Sequence, residues 1–209
     1  MEARSIRAYH YTRLTDDEIG RLSRSGIHVS TPETLRRRLD AVVASGELTV
    51  DAADQLYAKS PFHGDQLAAR SGKFWLSSYP VIVDDGGVAP LIAQWGGEVA
   101  SMWVREADLA KPLRAIGRRR IVEVAVPLSS TTRSHNAGNA VVATFARWRG
   151  ALPEKSAFDL YVTTALPPAA VIKIHTEGEP TFTTMARDYP AGYVDVDVTR
   201  WKELTGEDD

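Results

Sequence analysis

Ile6-Arg7-Ala8-Tyr9-His10-Tyr11-Thr12-Arg13 sets the frame for the rest of the chain. Its β-favouring isoleucine and tyrosines predict a first strand that ends in the polar triplet His10-Tyr11-Thr12. A helix start follows at once. Thr15 or Asp16 can cap, and Asp17 and Glu18 place negative charge where the helix dipole favours it. The helix runs through Ile19 and Leu22 and stops at Gly26, a natural left-handed terminator. Ile27-His28-Val29-Ser30 predicts a further short strand. A polar triplet at a strand end, with a helix leading away from it, can hold a ligand-facing histidine in a cleft.

Outward from that opening, residues 31–71 read as helical. Thr31-Pro32-Glu33 is a capping start with proline at the first helical position. Leu35, Leu39, Val42 and Val43 recur at helical spacing while Arg36, Arg37 and Arg38 point elsewhere. Gly46 ends this helix, and Thr49-Val50-Asp51 starts another that buries Ala52, Ala53, Leu56 and Tyr57. Ser60-Pro61 breaks it, and a short helix from Leu67 to Arg70 follows. The remainder is mostly strands: residues 73–78, 99–104, 120–128, 158–163 and 170–175. Asp84-Asp85-Gly86-Gly87 is a turn, residues 88–95 are helical, and residues 105–113 are helical or irregular. A polar loop over residues 129–138 precedes a helix over residues 140–148. Beyond Glu177, Val194-Asp195-Val196-Asp197-Val198 alternates like an edge strand, and Glu207-Asp208-Asp209 is an acidic end. Early helices followed by a run of strands predict one α+β domain over residues 1–209, with residues 177–209 as a C-terminal extension.

With 209 residues, the chain is long enough to bury a genuine core, and 44% hydrophobic with 25% charged residues is ordinary for a globular protein. The formal charge of −2 gives no global attraction to nucleic acid, although Arg36-Arg37-Arg38, Arg118-Arg119-Arg120 and the arginines around Trp148 leave room for local basic patches. Such runs are solvated faces by default. Flanking a cleft, they could hold a nucleic-acid backbone or a pyrophosphate, and Trp148 could stack on a base or simply pack. No cysteine is present, so disulfides, thiolate metal sites and a cysteine nucleophile are excluded. No run approaches the roughly 20 apolar residues of a membrane span, and Met-Glu-Ala-Arg-Ser does not open a signal peptide, so a cytoplasmic protein is expected. The chain lacks a phosphate loop, a dinucleotide fingerprint, a helical pair of zinc-spaced histidines and a Gly-x-Ser-x-Gly elbow. Its five histidines are scattered, and no metal is expected.

The order of elements resembles the ADP-ribosyltransferases. Tyr-His-Tyr-Thr on strand one, a helix, then Gly-Ile and a strand are similar to the opening of that family. Arg70 ahead of Lys73-Phe74-Trp75-Leu76-Ser77-Ser78 is similar to the arrangement in the DNA-acting ADP-ribosyltransferase toxins. Ala157-Phe158-Asp159-Leu160-Tyr161-Val162, with Leu166-Pro167-Pro168 and Val171-Ile172-Lys173-Ile174 after it, resembles the strand that carries the family's catalytic glutamate. The likeness covers most of residues 6–176 as ordered fragments. It departs at Asp159, one methylene shorter than glutamate; Glu98 and Glu123 are the other acids in reach of that role.

The resemblance implies a split β-sandwich with an N-terminal helical insertion over residues 31–71, binding NAD as substrate in a cleft between two small sheets. His10 and Thr12 would then hold the adenosine or nicotinamide-ribose side, and Trp75 or Tyr11 would stack on nicotinamide. Ser77 would complete the binding surface. Arg70 would steady the phosphates, the helical insertion would cover the cofactor, and Asp159 would stabilise positive charge on the sugar as nicotinamide leaves. The implied catalytic set is Asp159, His10 and Arg70. The acceptor would be DNA or RNA, a protein side chain, or water, in a toxin or defence setting with an antitoxin as a candidate partner. Each residue also has a structural reading: Trp75 as core, Arg70 as a helix C-terminal cation, Asp159 as an exposed-face carboxylate, residues 135–139 as a plain loop. Two rivals follow: a non-catalytic nucleic-acid- or protein-binding module of the same fold, and a nucleic-acid-processing enzyme with His10 as general base. The NAD reading requires His10 and Asp159 to meet at one cavity beside the same dinucleotide, and side chains pointing to opposite sides of the molecule would count against it.

Overall fold

The computed structural model describes residues 4–150 and 158–186. Its first strand, β1 (Ser5–Leu14), alternates Ala8, Thr12 and Leu14 with Tyr9 and Tyr11, and all five side chains are buried. A strand apolar on both faces belongs inside a sheet covered on both sides, and β1 is the central strand. The others are β2 (Phe74–Ser77), β3 (Arg118–Pro127), β4 (Asp159–Val162) and β5 (Val171–Thr176). They form one five-stranded sheet of order β4-β2-β1-β3-β5, with every neighbouring pair antiparallel. The mixed α+β class is as expected; in place of two small sheets, the described strands make a single one.

That sheet is unevenly joined. β1 pairs with β3 from Ser5↔Pro127 to Leu14↔Arg118, whereas β1 and β2 pair only at Tyr9↔Ser77. Beyond that point side chains of β1 bond the backbone opposite. His10 Nδ1 donates to the Trp75 carbonyl (2.9 Å), and the Tyr11 hydroxyl accepts from the Val81 N–H (2.6 Å). The sheet therefore opens between β1 and β2, and the polar triplet lies within β1 at that opening, with Arg13 and Leu14 continuing the strand past it.

Helix α1 (Asp16–Ser25) starts on a capping box: Thr15 Oγ1 accepts from the Glu18 N–H while the Glu18 carboxylate accepts from the Thr15 N–H. It ends at Gly26, whose φ of 76° and close approach to the Leu166 carbonyl admit no side chain. One sheet face packs Ala8, Leu14, Leu76, Val122, Val124 and Leu160 against Ile19 and Leu22 of α1 and against Ile27 and Leu166. The other face packs Tyr9, Tyr11 and Ile121 against Val88, Ile92 and Phe182; Ile92 belongs to α5 (Ala89–Ala93) and Phe182 to α9 (Pro180–Met185).

A third cluster is helical. α2 (Pro32–Ala44), α3 (Val50–Ala58) and the turn Pro61–His63 bury Leu35, Leu39, Val42, Leu56 and Phe62 with Trp95, Ala100, Leu113 and Ile116. The short α4 (Leu67–Arg70) closes the segment expected to be helical. Here lies the clearest correction. Residues 99–104, expected as a strand, hold the end of α6 (Gly97–Ala100) and a turn before α7 (Ala107–Leu113). The backbone swings into the left-handed region at Gly96 and Gly97, and Ala100 packs into the helical cluster.

Residues 27–30 likewise make only single bridges, Ile27↔Leu166 and Ser30↔Lys73, rather than a strand. The polar loop expected to Gly138 ends earlier, because α8 (Ser134–Trp148) takes in His135 to Asn139 and buries Ala137 and Ala143. The possible edge strand at residues 194–198, the acidic end and the side chains of Arg147 and Trp148 lie outside the described residues. No helix among the described residues is long and apolar enough to cross a membrane.

Candidate functional site

A cavity of about 820 Å³ lies where the sheet opens. It is lined by His10, Tyr11 and Thr12 from β1, Trp75 and Ser77 from β2, Arg70 from α4 and Asp159 from β4, the set implied by the family resemblance. Glu98 lines it too, but Glu123 does not. Glu123 is buried elsewhere on the sheet, bonded to His175 Nε2 (3.1 Å) and to Arg7 Nε (3.0 Å). It is removed as a candidate acid for this cleft.

His10 is the best-defined member. Burial pulls its pKa down from 6.5 to about 4; the bond to the Trp75 carbonyl opposes this, and the positive charge of Arg38 adds to it. The imidazole is therefore neutral at pH 7. Because Nδ1 donates to a carbonyl, the proton sits there and Nε2 carries the lone pair. This is a hydrogen-bond acceptor suited to a ligand hydroxyl. The ring is braced by Phe74, 4.3 Å away between centroids.

Across the opening, Trp75 lies against Tyr161 at 4.7 Å, with Lys73 Nζ over the Tyr161 ring at 5.0 Å. The Trp75 indole N–H is buried without an acceptor among the described residues. Tyr11, by contrast, is committed: its ring is core, its hydroxyl is bonded to Val81, and burial lifts its pKa to about 12. Trp75 is the available stacking surface of the two. Ser77 turns its hydroxyl to the Tyr79 carbonyl (3.0 Å). Thr12 is buried on the His10 side of β1.

Asp159 sits on the rim, paired in register with Ser77. Its side chain is exposed, matching the exposed-face reading of the sequence; partial desolvation still raises its pKa, and the nearby Arg133 opposes that rise. Strand alternation has a consequence here: Tyr9, Ser77 and Asp159 share one side of the pleat and His10 the other. The two groups border the same cavity only because the sheet is open between them, and a ligand touching both must pass through that opening.

The helical wall is strongly charged. Arg70 Nη1 pairs with Glu98 (2.5 Å), and Arg38 Nε pairs with Glu18 (2.7 Å). Glu18 is almost fully buried and also accepts from Trp95 Nε1 (2.9 Å). Burial alone would raise its pKa, but Arg38, the Thr15 N–H and the Trp95 N–H outweigh that and hold it below the ordinary carboxylate range. The arginine run was expected to point away from the core. Arg36 does, pairing with Asp40 and Asp54, but Arg38 turns inward over the Trp95 ring at 4.8 Å. Sequence spacing alone could not show this, because the partners Glu18 and Trp95 belong to other elements. Among the described residues, no group of three or more His, Asp or Glu side chains could hold a metal ion. No protein-family model, curated protein or solved structure matches this chain.

Proposed function

We propose that this chain is an ADP-ribosyltransferase-like enzyme that cleaves NAD at the nicotinamide–ribose bond and passes ADP-ribose to a macromolecule or to water. The observation that carries the reading is the lining of one cavity by His10, Trp75, Arg70 and Asp159, which come from four separate elements. The described strands form one sheet, and its opening between β1 and β2 beyond Tyr9↔Ser77 supports the reading only by giving a ligand room. Neutral His10 offers Nε2 to a ribose hydroxyl, Trp75 offers a ring face to nicotinamide, and arginines of the helical wall, Arg70 among them, face the phosphates. Asp159 offers negative charge to the sugar as the neutral base departs.

A general-base role for His10 in nucleic-acid processing is disfavoured, since an imidazole titrating at about 4 is a weak base at neutral pH. Arg37 and Lys73 on the cleft border offer cations to the phosphates of a nucleic-acid acceptor, while Arg21 is paired with Asp17, and Asp85, Glu98 and Asp159 line the same cavity. NAD should raise the melting temperature of the wild type by several degrees, and the Trp75→Ala protein should lose most of that shift. Label carried on the ADP-ribose half of NAD should appear on DNA or RNA oligonucleotides. No thermal shift with NAD and no transfer of label would leave the same fold as a non-catalytic binding module.

A further inference from the structure

We infer that Arg38, held by Glu18 against the face of Trp95, takes the phosphate groups of the ligand beside His10, and that Glu18 is its positioning residue. The inference rests on the NAD reading and narrows it to one cation. A guanidinium offers two edges. Arg38 gives Nε to the buried Glu18 carboxylate, which leaves the Nη1–Nη2 edge for a bidentate anion. Nη2 is buried and has no hydrogen-bond partner among the described residues. The plane is fixed by Trp95 on one side, and Trp95 is itself tied to the same carboxylate. Arg38 therefore reaches the cavity with its geometry already set, so little side-chain freedom is lost on binding. Arg38 and His10 both line the cavity. Arg70 differs in giving one terminal nitrogen, Nη1, to its carboxylate Glu98, where Arg38 gives Glu18 its Nε; both carboxylates line the cavity.

The test is calorimetric titration of the full chain with ADP-ribose, inorganic pyrophosphate and adenosine. Arg38→Gln should weaken ADP-ribose and pyrophosphate at least about tenfold and leave adenosine within about twofold. Arg38→Lys keeps a charge for Glu18 but loses the fork, so it should fold as the wild type and still weaken both phosphorylated ligands; it decides the matter if the glutamine variant unfolds. Glu18→Gln should weaken the phosphorylated ligands in the same direction with adenosine unchanged. Unchanged affinity for them in the Arg38 variants overturns the inference, as does an equal loss of adenosine. A loss seen only in Arg70→Gln transfers the role to Arg70 and leaves the NAD reading standing. Arg38-dependent pyrophosphate binding without ADP-ribose binding upholds the inference and removes the NAD reading. If the wild type binds neither phosphorylated ligand, the inference fails, and release of nicotinamide then decides the NAD reading separately.

Discussion

His10 is kept neutral mainly by burial, and that has a measurable cost. Its pKa is about 4 in the folded chain against 6.5 for the free side chain, so the unfolded chain binds the extra proton across this window. Stability is intact above pH 6.5 and falls as pH drops towards 4, by up to about 3 kcal/mol from this group. Urea unfolding at pH 7 and pH 4 should show a larger loss for wild type than for His10→Gln; equal losses would mean that His10 is not shielded. Asp159 has the opposite sign. Its pKa is raised by partial desolvation although the side chain is exposed, so folding disfavours its charge slightly, and this small penalty grows as pH rises through the carboxylate range. Asp159→Asn should therefore melt at or above the wild-type temperature at pH 7 while losing turnover; a clear fall in melting temperature would make Asp159 a structural residue. His10 was a candidate because a polar triplet interrupts its strand, and Asp159 because of the family resemblance alone. Arg38 and Glu18 were not legible in their present roles. They are 20 residues apart, and nothing local to either sequence indicates the other.

At the scale of elements, those with chemical punctuation were readable and those without it were not. The Thr15–Glu18 capping box, the Thr31-Pro32 start and the Gly26 stop all lie where the side chains required them. Gly26→Ala should cost about 2–4 kcal/mol, from a left-handed backbone plus a Cβ forced onto the Leu166 carbonyl. Chemical denaturation checks this, and a loss below about 0.5 kcal/mol would contradict the tight approach. Residues 99–104 misled because a short apolar run has no period of its own; Gly96, Gly97 and the burial of Ala100 decide it as helix and turn. His135, Asn136, Gly138 and Asn139 are poor helix formers, yet Ala137 and Ala143 pack α8 down. Tertiary burial overrode propensity there.

The whole molecule sets a sheet beside a helical cluster and joins them through Glu18, which caps α1, bonds Trp95 and holds Arg38 of α2. Glu18→Ala would leave a part-buried guanidinium and a buried indole N–H without their carboxylate. It should cost about 3–5 kcal/mol by denaturant unfolding; a loss under about 1 kcal/mol would show that the joint carries little. The α+β class could be read from helices preceding strands. The single sheet with an opening could not, because where β1 leaves β2 is a matter of pairing between strands over sixty residues apart. That opening makes the cavity, and NAD cleavage in the cavity is the central claim. Its most direct test is free nicotinamide released from NAD by the purified chain and by Asp159→Ala. Release by the wild type and a loss of about a hundredfold or more in the variant are expected; no release by the wild type, or equal release by both, would rule NAD cleavage out.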